Sequence, residues 1–178
     1  NFVPVIITNN HVINDSQLGA LTFTKTDING NPLDKEHVYF PLPNFESLWI
    51  KHPDNRVDLC AMPIGPIIEQ AKSQNETIFL KSFGHSLLPS EEQLSNLTAL
   101  EDVIMIGYPN GIWDSINNKP LFRKGITATH PFHDYNGKKE FMIDAACYPG
   151  SSGSPVFILN EFAYSDKQGT YLGKPRLL

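Results

Sequence analysis

Three segments of this chain hold a serine, a histidine and an acid in settings where each could do chemistry. The first is Tyr148-Pro149-Gly150-Ser151-Ser152-Gly153-Ser154-Pro155-Val156-Phe157. A serine hydroxyl attacks a carbonyl only if the resulting oxyanion is stabilised at once, which backbone N–H groups aimed at one point can do. Gly150 can take backbone angles that a side chain forbids, and Gly153 lets the chain pack closely behind a serine. Pro155 stops any helix and launches the apolar run Val156-Phe157-Ile158-Leu159. The plain alternative is a Gly/Ser/Pro surface turn. The second segment is Val5-Ile6-Ile7-Thr8-Asn9-Asn10-His11-Val12-Ile13, an apolar strand that enters a polar turn and presents a histidine. An imidazole offers proton transfer near neutral pH; otherwise this is a strand-end histidine satisfied by a carbonyl. The third, Val57-Asp58-Leu59-Cys60-Ala61-Met62-Pro63-Ile64, sets an acid inside an otherwise apolar strand. A buried carboxylate must be hydrogen-bonded, and an imidazole N–H would serve. The competing acid, Asp54, stands in Pro53-Asp54-Asn55 and reads as a turn.

Together these segments resemble the chymotrypsin-type serine proteases, and in particular their bacterial HtrA-like, trypsin-like branch. Gly150 to Pro155 follows the Gly-x-Ser-Gly-Gly/Ser-Pro pattern, Thr8 to Val12 the Thr-Asn-Asn-His-Val form, and Asp58 to Met62 the Asp-Leu-Ala-Leu-Leu motif, with Cys60 in the alanine position. Ile104-Met105-Ile106-Gly107-Tyr108-Pro109-Asn110-Gly111, Gly125-Ile126-Thr127 and Phe141 to Gly150 resemble further segments of that branch. The likeness runs from Val5 to about Leu159. It implies a serine endopeptidase that cleaves peptide bonds through an acyl-enzyme. Ser152 would be the nucleophile, His11 the general base and Asp58 the residue that fixes the histidine tautomer. The amides of Gly150 and Ser152 would form the oxyanion hole, with that of Ser151 as an alternative donor. Ala146 and Cys147 would line the S1 pocket. Trypsin-like relatives carry the base of that pocket six positions before the nucleophile, which is Ala146 here. A basic P1 side chain finds no counter-charge there, so a neutral, small or aliphatic P1 preference is expected. Ser151 stands where zymogen proteases keep an aspartate, so activation by an ion pair with a freshly cut N-terminus is not expected.

Chain order separates this architecture from others. No histidine follows His133, which excludes the order Ser, acid, His of the α/β-hydrolases. The subtilisin order would need His85, His130 or His133 as base, and none carries a supporting motif. A non-catalytic binding or scaffold module on the protease fold is the alternative function, and esterase or other acyl transfer at the same triad is a third.

The elements that must position these residues are short. Apolar or alternating runs cover 2–7, 18–24, 37–41, 48–50, 57–62, 78–83, 103–106, 125–129, 141–145 and 156–159. Turn signals at Asn29-Gly30-Asn31-Pro32, His52-Pro53-Asp54-Asn55, Pro109-Asn110-Gly111 and Asn136-Gly137 separate them. This spacing predicts an all-β sandwich or barrel. Asn136-Gly137 predicts a hairpin joining 130–135 to 140–143. Ser90-Glu91-Glu92-Gln93 is a capping box that opens a helix across 94–100, and a second short helix is expected over 67–73. The resemblance makes this two six-stranded-type antiparallel β-barrels. Residues 1–88 form the N-terminal barrel with His11 and Asp58, 89–102 the linker, and 103–178 the C-terminal barrel with Ser152. The site is expected in the cleft between the barrels. The family fold also has a strand before the histidine strand and continues past residues 171–178, where Leu177-Leu178 reads as the start of a strand cut short. The chain is therefore expected to be a fragment, incomplete at both termini, with any PDZ or other partner domain beyond Leu178.

Bulk properties exclude several classes. A net charge of −5 and a pI near 5.6 argue against a nucleic-acid surface, and no stretch approaches a membrane span. Two cysteines cannot make the multi-bridge framework of secreted animal proteases. Cys60 and Cys147 read as free thiols, with a single bridge as the other option. The sequons at Asn14, Asn75 and Asn96 read as chance. His130-Pro131-Phe132-His133-Asp134 invites a zinc reading, but Pro131 disfavours a helix and no third ligand is spaced to help. No metal and no cofactor are implied, and the partner is a polypeptide substrate. No signal peptide is visible, leaving bacterial cytoplasm, periplasm or secretion open. Trp49, Trp113 and the phenylalanines read as core, although Trp113 beside the Asn110-Gly111 turn could instead face the cleft.

Overall fold

The computed structural model describes residues 3–160, 163–166, 169–172 and 176–177. The chain divides into two compact units, residues 1–82 with 111–120 and 150–153, and residues 83–110 with 121–149 and 154–178.

In the first unit, β1 (Val5–Thr8) leads into a single helical turn, α1 (Asn10–Ile13). A long antiparallel hairpin follows, β2 (Leu18–Thr26) and β3 (Pro32–Pro43). Its turn is closed by the Asp27 carboxylate, which accepts from the amides of Asn29 and Asn31 at 2.8 Å each, with Gly30 at φ +83°. Two short strands, β4 (Ile50–Lys51) and β5 (Cys60–Pro63), and the helix α2 (Gly65–Ser73) complete the unit. β5 lies between β1 and β4, antiparallel to both. The core gathers Ile13, Phe40, Trp49, Cys60, Met62 and Ile67. Cys60 and Met62 alternate inward along β5, the period-2 signature of a half-buried strand. Ile67 and Ala71 alternate at helical spacing on α2. Each large apolar side chain buried this way stabilises the unit by about 1.5–3 kcal/mol.

In the second unit, α3 (Glu91–Asn96) begins at a reciprocal capping box. Ser90 Oγ accepts from the Gln93 amide at 3.1 Å, and Gln93 Oε1 accepts from the Ser90 amide at 2.8 Å. β6 (Asp102–Gly107), β7 (Leu121–Thr127), β8 (Ile143–Ala145), β9 (Val156–Asn160), β10 (Ala163–Asp166), β11 (Gly169–Leu172) and β12 (Arg176–Leu177) follow. β12, β9, β6, β7 and β8 form one antiparallel sheet in that order, and β10 pairs with β11 in a separate two-stranded sheet among the described residues. Val103 and Met105 face the core from β6. Thr127 is fully buried, and its hydroxyl meets the cost by accepting from the Glu101 amide and donating to the Ala99 carbonyl, both at 2.8 Å.

The architecture is all-β with few helices, as expected, and its sheets are open. Several local expectations need correction. Residues 78–83 form no strand: one bond from the Phe79 amide to the Thr24 carbonyl ties them down, which is not a ladder. Residues 45–48 are a turn of 3₁₀ helix, so the strand expected at 48–50 is instead β4. α3 stops at Asn96, short of the expected Leu100. The Asn136-Gly137 turn does form, at φ +52° and +75°, but it closes only an isolated Tyr135–Lys138 bridge, because Pro131 cannot donate to a ladder through 130–135. Trp49 is core, whereas Trp113 is 44% exposed. Phe2 and Leu178 lie outside the described residues. Among the described residues no helix is long and apolar enough to cross a membrane.

Candidate active site

His11 and Asp58 are brought together by the pairing of β1 with β5. In that register Thr8 lies opposite Cys60, so the residues just after β1 face those just before β5. The strand expected over 57–62 begins only at Cys60. The carbonyls of Val57 and Asp58, which a longer ladder would need, are taken by the side-chain amides of Asn10 (3.4 Å) and Asn9 (2.7 Å). Asp58 therefore stands in a loop with its side chain 49% exposed, not buried within a strand.

Its carboxylate meets His11 twice. Oδ1 accepts from the His11 backbone amide at 3.1 Å, and Oδ2 accepts from ring Nδ1 at 2.5 Å. The ring hydrogen bond, helped by the backbone amide, holds the Asp58 carboxyl below the ordinary carboxylate range against a desolvation push in the other direction. An ionised carboxylate only accepts, so Nδ1 is the donor of that contact, and in the tautomer with its proton on Nδ1 the ring presents Nε2 as an acceptor. Ser152 Oγ lies 2.9 Å from Nε2 and donates to it. Segment 150–153 belongs to the same compact unit as His11 and Asp58.

The nucleophile loop is shaped by two glycines at positive φ, Gly150 at +82° and Gly153 at +79°. A Cβ on Gly153 would also run into Thr8 Oγ1. The Gly153 amide donates to Asn9 Oδ1 at 2.6 Å. The Asn110 amide donates to the Pro149 carbonyl at 2.6 Å. The C=O and N–H of a trans peptide point in opposite directions, so the Gly150 N–H is turned away from Asn110.

The remaining expected site residues lie in the second unit. Ala146 follows β8, and its carbonyl accepts from Arg123 Nη1 at 3.0 Å. Cys147 is an exposed free thiol, while Cys60 is a buried one whose pKa is raised by desolvation. The rings of His130 and His133 pack together with centroids 4.9 Å apart. Two residues went unmarked by sequence reasoning. Arg123 carried no signal. Asn9 did: it is a preferred residue type at the N-cap of α1, although its side chain makes no capping bond.

The model of one family, described as a trypsin-like peptidase domain, matches residues 3–161. No curated protein and no solved structure matches the chain.

Proposed function

The chain belongs to the trypsin-like peptidase domain family, and on that premise we propose that it is a serine endopeptidase working through His11, Asp58 and Ser152. The observation that carries this reading is the unbroken hydrogen-bonded line from Asp58 through both ring nitrogens of His11 to Ser152 Oγ. Oγ attacks the scissile carbonyl carbon as Nε2 takes its proton, so the C–O bond forms while the carbonyl becomes an oxyanion. The amides of Gly150 and Ser152 stabilise that charge; the positive φ of Gly150 supports this assignment. The imidazolium, held by Asp58, then protonates the leaving amine as the C–N bond breaks and the acyl-enzyme remains. Water attacks the ester with His11 again as base, and Oγ recovers its proton.

For the P1 side chain, Ala146 at the expected base of the pocket offers no counter-charge. A neutral, small or aliphatic P1 follows. Profiling against a peptide library is expected to return such residues at P1; cleavage after Lys or Arg would overturn this part of the reading alone.

The catalytic assignment is tested with a fluorophosphonate probe. The wild-type protein should be labelled at Ser152 and Ser152→Ala should not. Labelling that survives in Ser152→Ala moves the nucleophile elsewhere. Absence of wild-type labelling favours a non-catalytic module on the protease fold.

A further inference from the structure

We propose that Asn9 is a positioning residue that ties the loops of all three triad members into one frame; the inference rests on the catalytic reading above. Its side chain hydrogen-bonds to backbone atoms of the acid's loop and the nucleophile's loop. Nδ2 donates to the Asp58 carbonyl at 2.7 Å, and Oδ1 accepts from the Gly153 amide, next to Ser152, at 2.6 Å. Its own carbonyl accepts from the Val12 amide at 3.2 Å, inside the helical turn that carries His11. One residue thus holds the acid's backbone, the base's helix and the nucleophile's loop.

The chemistry of the amide group explains why this position suits asparagine. One partner is a carbonyl and needs a donor; the other is an N–H and needs an acceptor. Among short side chains, only a carboxamide offers both on one rigid plane. The reversed orientation would set donor against donor and acceptor against acceptor, so the two partners also fix the flip. Helix-start asparagines ordinarily spend Oδ1 on the first free amides of their own helix. Here that oxygen is spent on Gly153, and α1 has no side-chain cap. A one-turn helix that gives up its cap gains nothing locally, so the stabilisation falls on the contacts to Asp58 and Gly153. Thr8 Oγ1 occupies the space where a Gly153 side chain would be, so the Asn9 bond and the Thr8 contact locate the loop behind Ser152 from two sides.

The test compares Asn9→Ala, which removes both bonds, with Asn9→Asp, which keeps the shape and an acceptor but loses the donor. Displacing a reacting group by about 1 Å costs on the order of 10²-fold in rate. Asn9→Ala is expected to lower kcat by about ten- to a hundredfold, with KM nearly unchanged and fluorophosphonate labelling of Ser152 slowed in parallel. Asn9→Asp should lose less. Its new carboxylate near His11 favours the protonated ring, so the acid limb of its pH–rate profile should move upward. A purely structural role would lower the melting temperature and leave kcat and the labelling rate of the folded protein unmoved. The proposal is overturned if both variants match wild-type kcat within twofold, or if the loss lies only in KM. If Asn9→Ala does not fold, Asn9→Asp decides alone, and a kcat within twofold of wild type overturns the proposal. A wild-type protein that takes no label at all overturns the catalytic reading and this inference with it; normal wild-type labelling with unaffected variants overturns this inference only.

Discussion

Ser152→Ala and His11→Ala are each expected to lower kcat by roughly 10⁴- to 10⁶-fold, and the double variant is expected to be no worse than the weaker single one. The reason lies in the 2.9 Å contact between Nε2 and Oγ. In the proposed mechanism, bond formation at the carbonyl and removal of the hydroxyl proton are one event, so losing either partner removes the whole step. Two independent contributions would multiply; two halves of one step do not. The activity that survives in all three variants is what the oxyanion amides and substrate binding supply, about 10³- to 10⁴-fold over water. Steady-state kinetics on a peptide cleaved by the wild type, with a limit of detection below this residue, measures the cycle. Multiplicative losses would mean that His11 and Ser152 act in separate events, and the hydrogen bond between them would have no catalytic meaning. Both side chains are exposed, so the variants should keep the wild-type melting temperature, and a loss of activity cannot be assigned to unfolding.

The features that were legible in the sequence were local. The turn Asn29-Gly30-Asn31-Pro32 announces the β2–β3 hairpin because its polar groups close on one another within five residues. The capping box at Ser90 is legible for the same reason. Asp58 shows the limit. Flanked by Val57 and Leu59, it reads as part of a strand, yet β5 begins only at Cys60, and the carbonyls of Val57 and Asp58 accept from two asparagine side chains of a distant segment. The partners of Asn9 are backbone atoms 49 and 144 positions away. A backbone N–H or C=O has no letter of its own, so no pattern in the chain could have shown this link. The meeting of His11 with Ser152 spans 141 positions. It was legible only because the surrounding motifs resemble a family in which those two side chains act together.

Asp58→Asn is expected to cost about 10⁴-fold in kcat near neutral pH, close to the effect known for such a change in a Ser-His-Asp triad, with little change in thermal stability. In the wild type both oxygens of Asp58 accept, one from the His11 backbone amide and one from Nδ1. An asparagine has only one oxygen to offer. If that oxygen stays on the backbone amide, its NH₂ faces Nδ1, and the ring must give up that proton and carry one on Nε2 instead. Nε2 then presents a donor to Ser152 and can no longer act as base. If the oxygen turns to Nδ1, the NH₂ is driven against the backbone N–H, donor to donor, and the helical turn carrying His11 must shift. Either outcome removes the base from its place. The stability effect is small because the contact is half exposed, and exposed polar pairs contribute little. The pH dependence follows from the same contact. His11 lowers the folded-state pKa of Asp58, so whatever the pair adds to stability is present above the ordinary carboxylate pKa. It is lost only as pH falls through the lower folded value. Asp58 thus stays ionised across the neutral and mildly acidic range, and the acid limb of the wild-type pH–rate profile belongs to a different group. A pH–rate series on wild type and Asp58→Asn checks both statements. Retention of kcat within tenfold in Asp58→Asn would show that His11 keeps its tautomer without the carboxylate, and Asp58 would then have no part in the reaction.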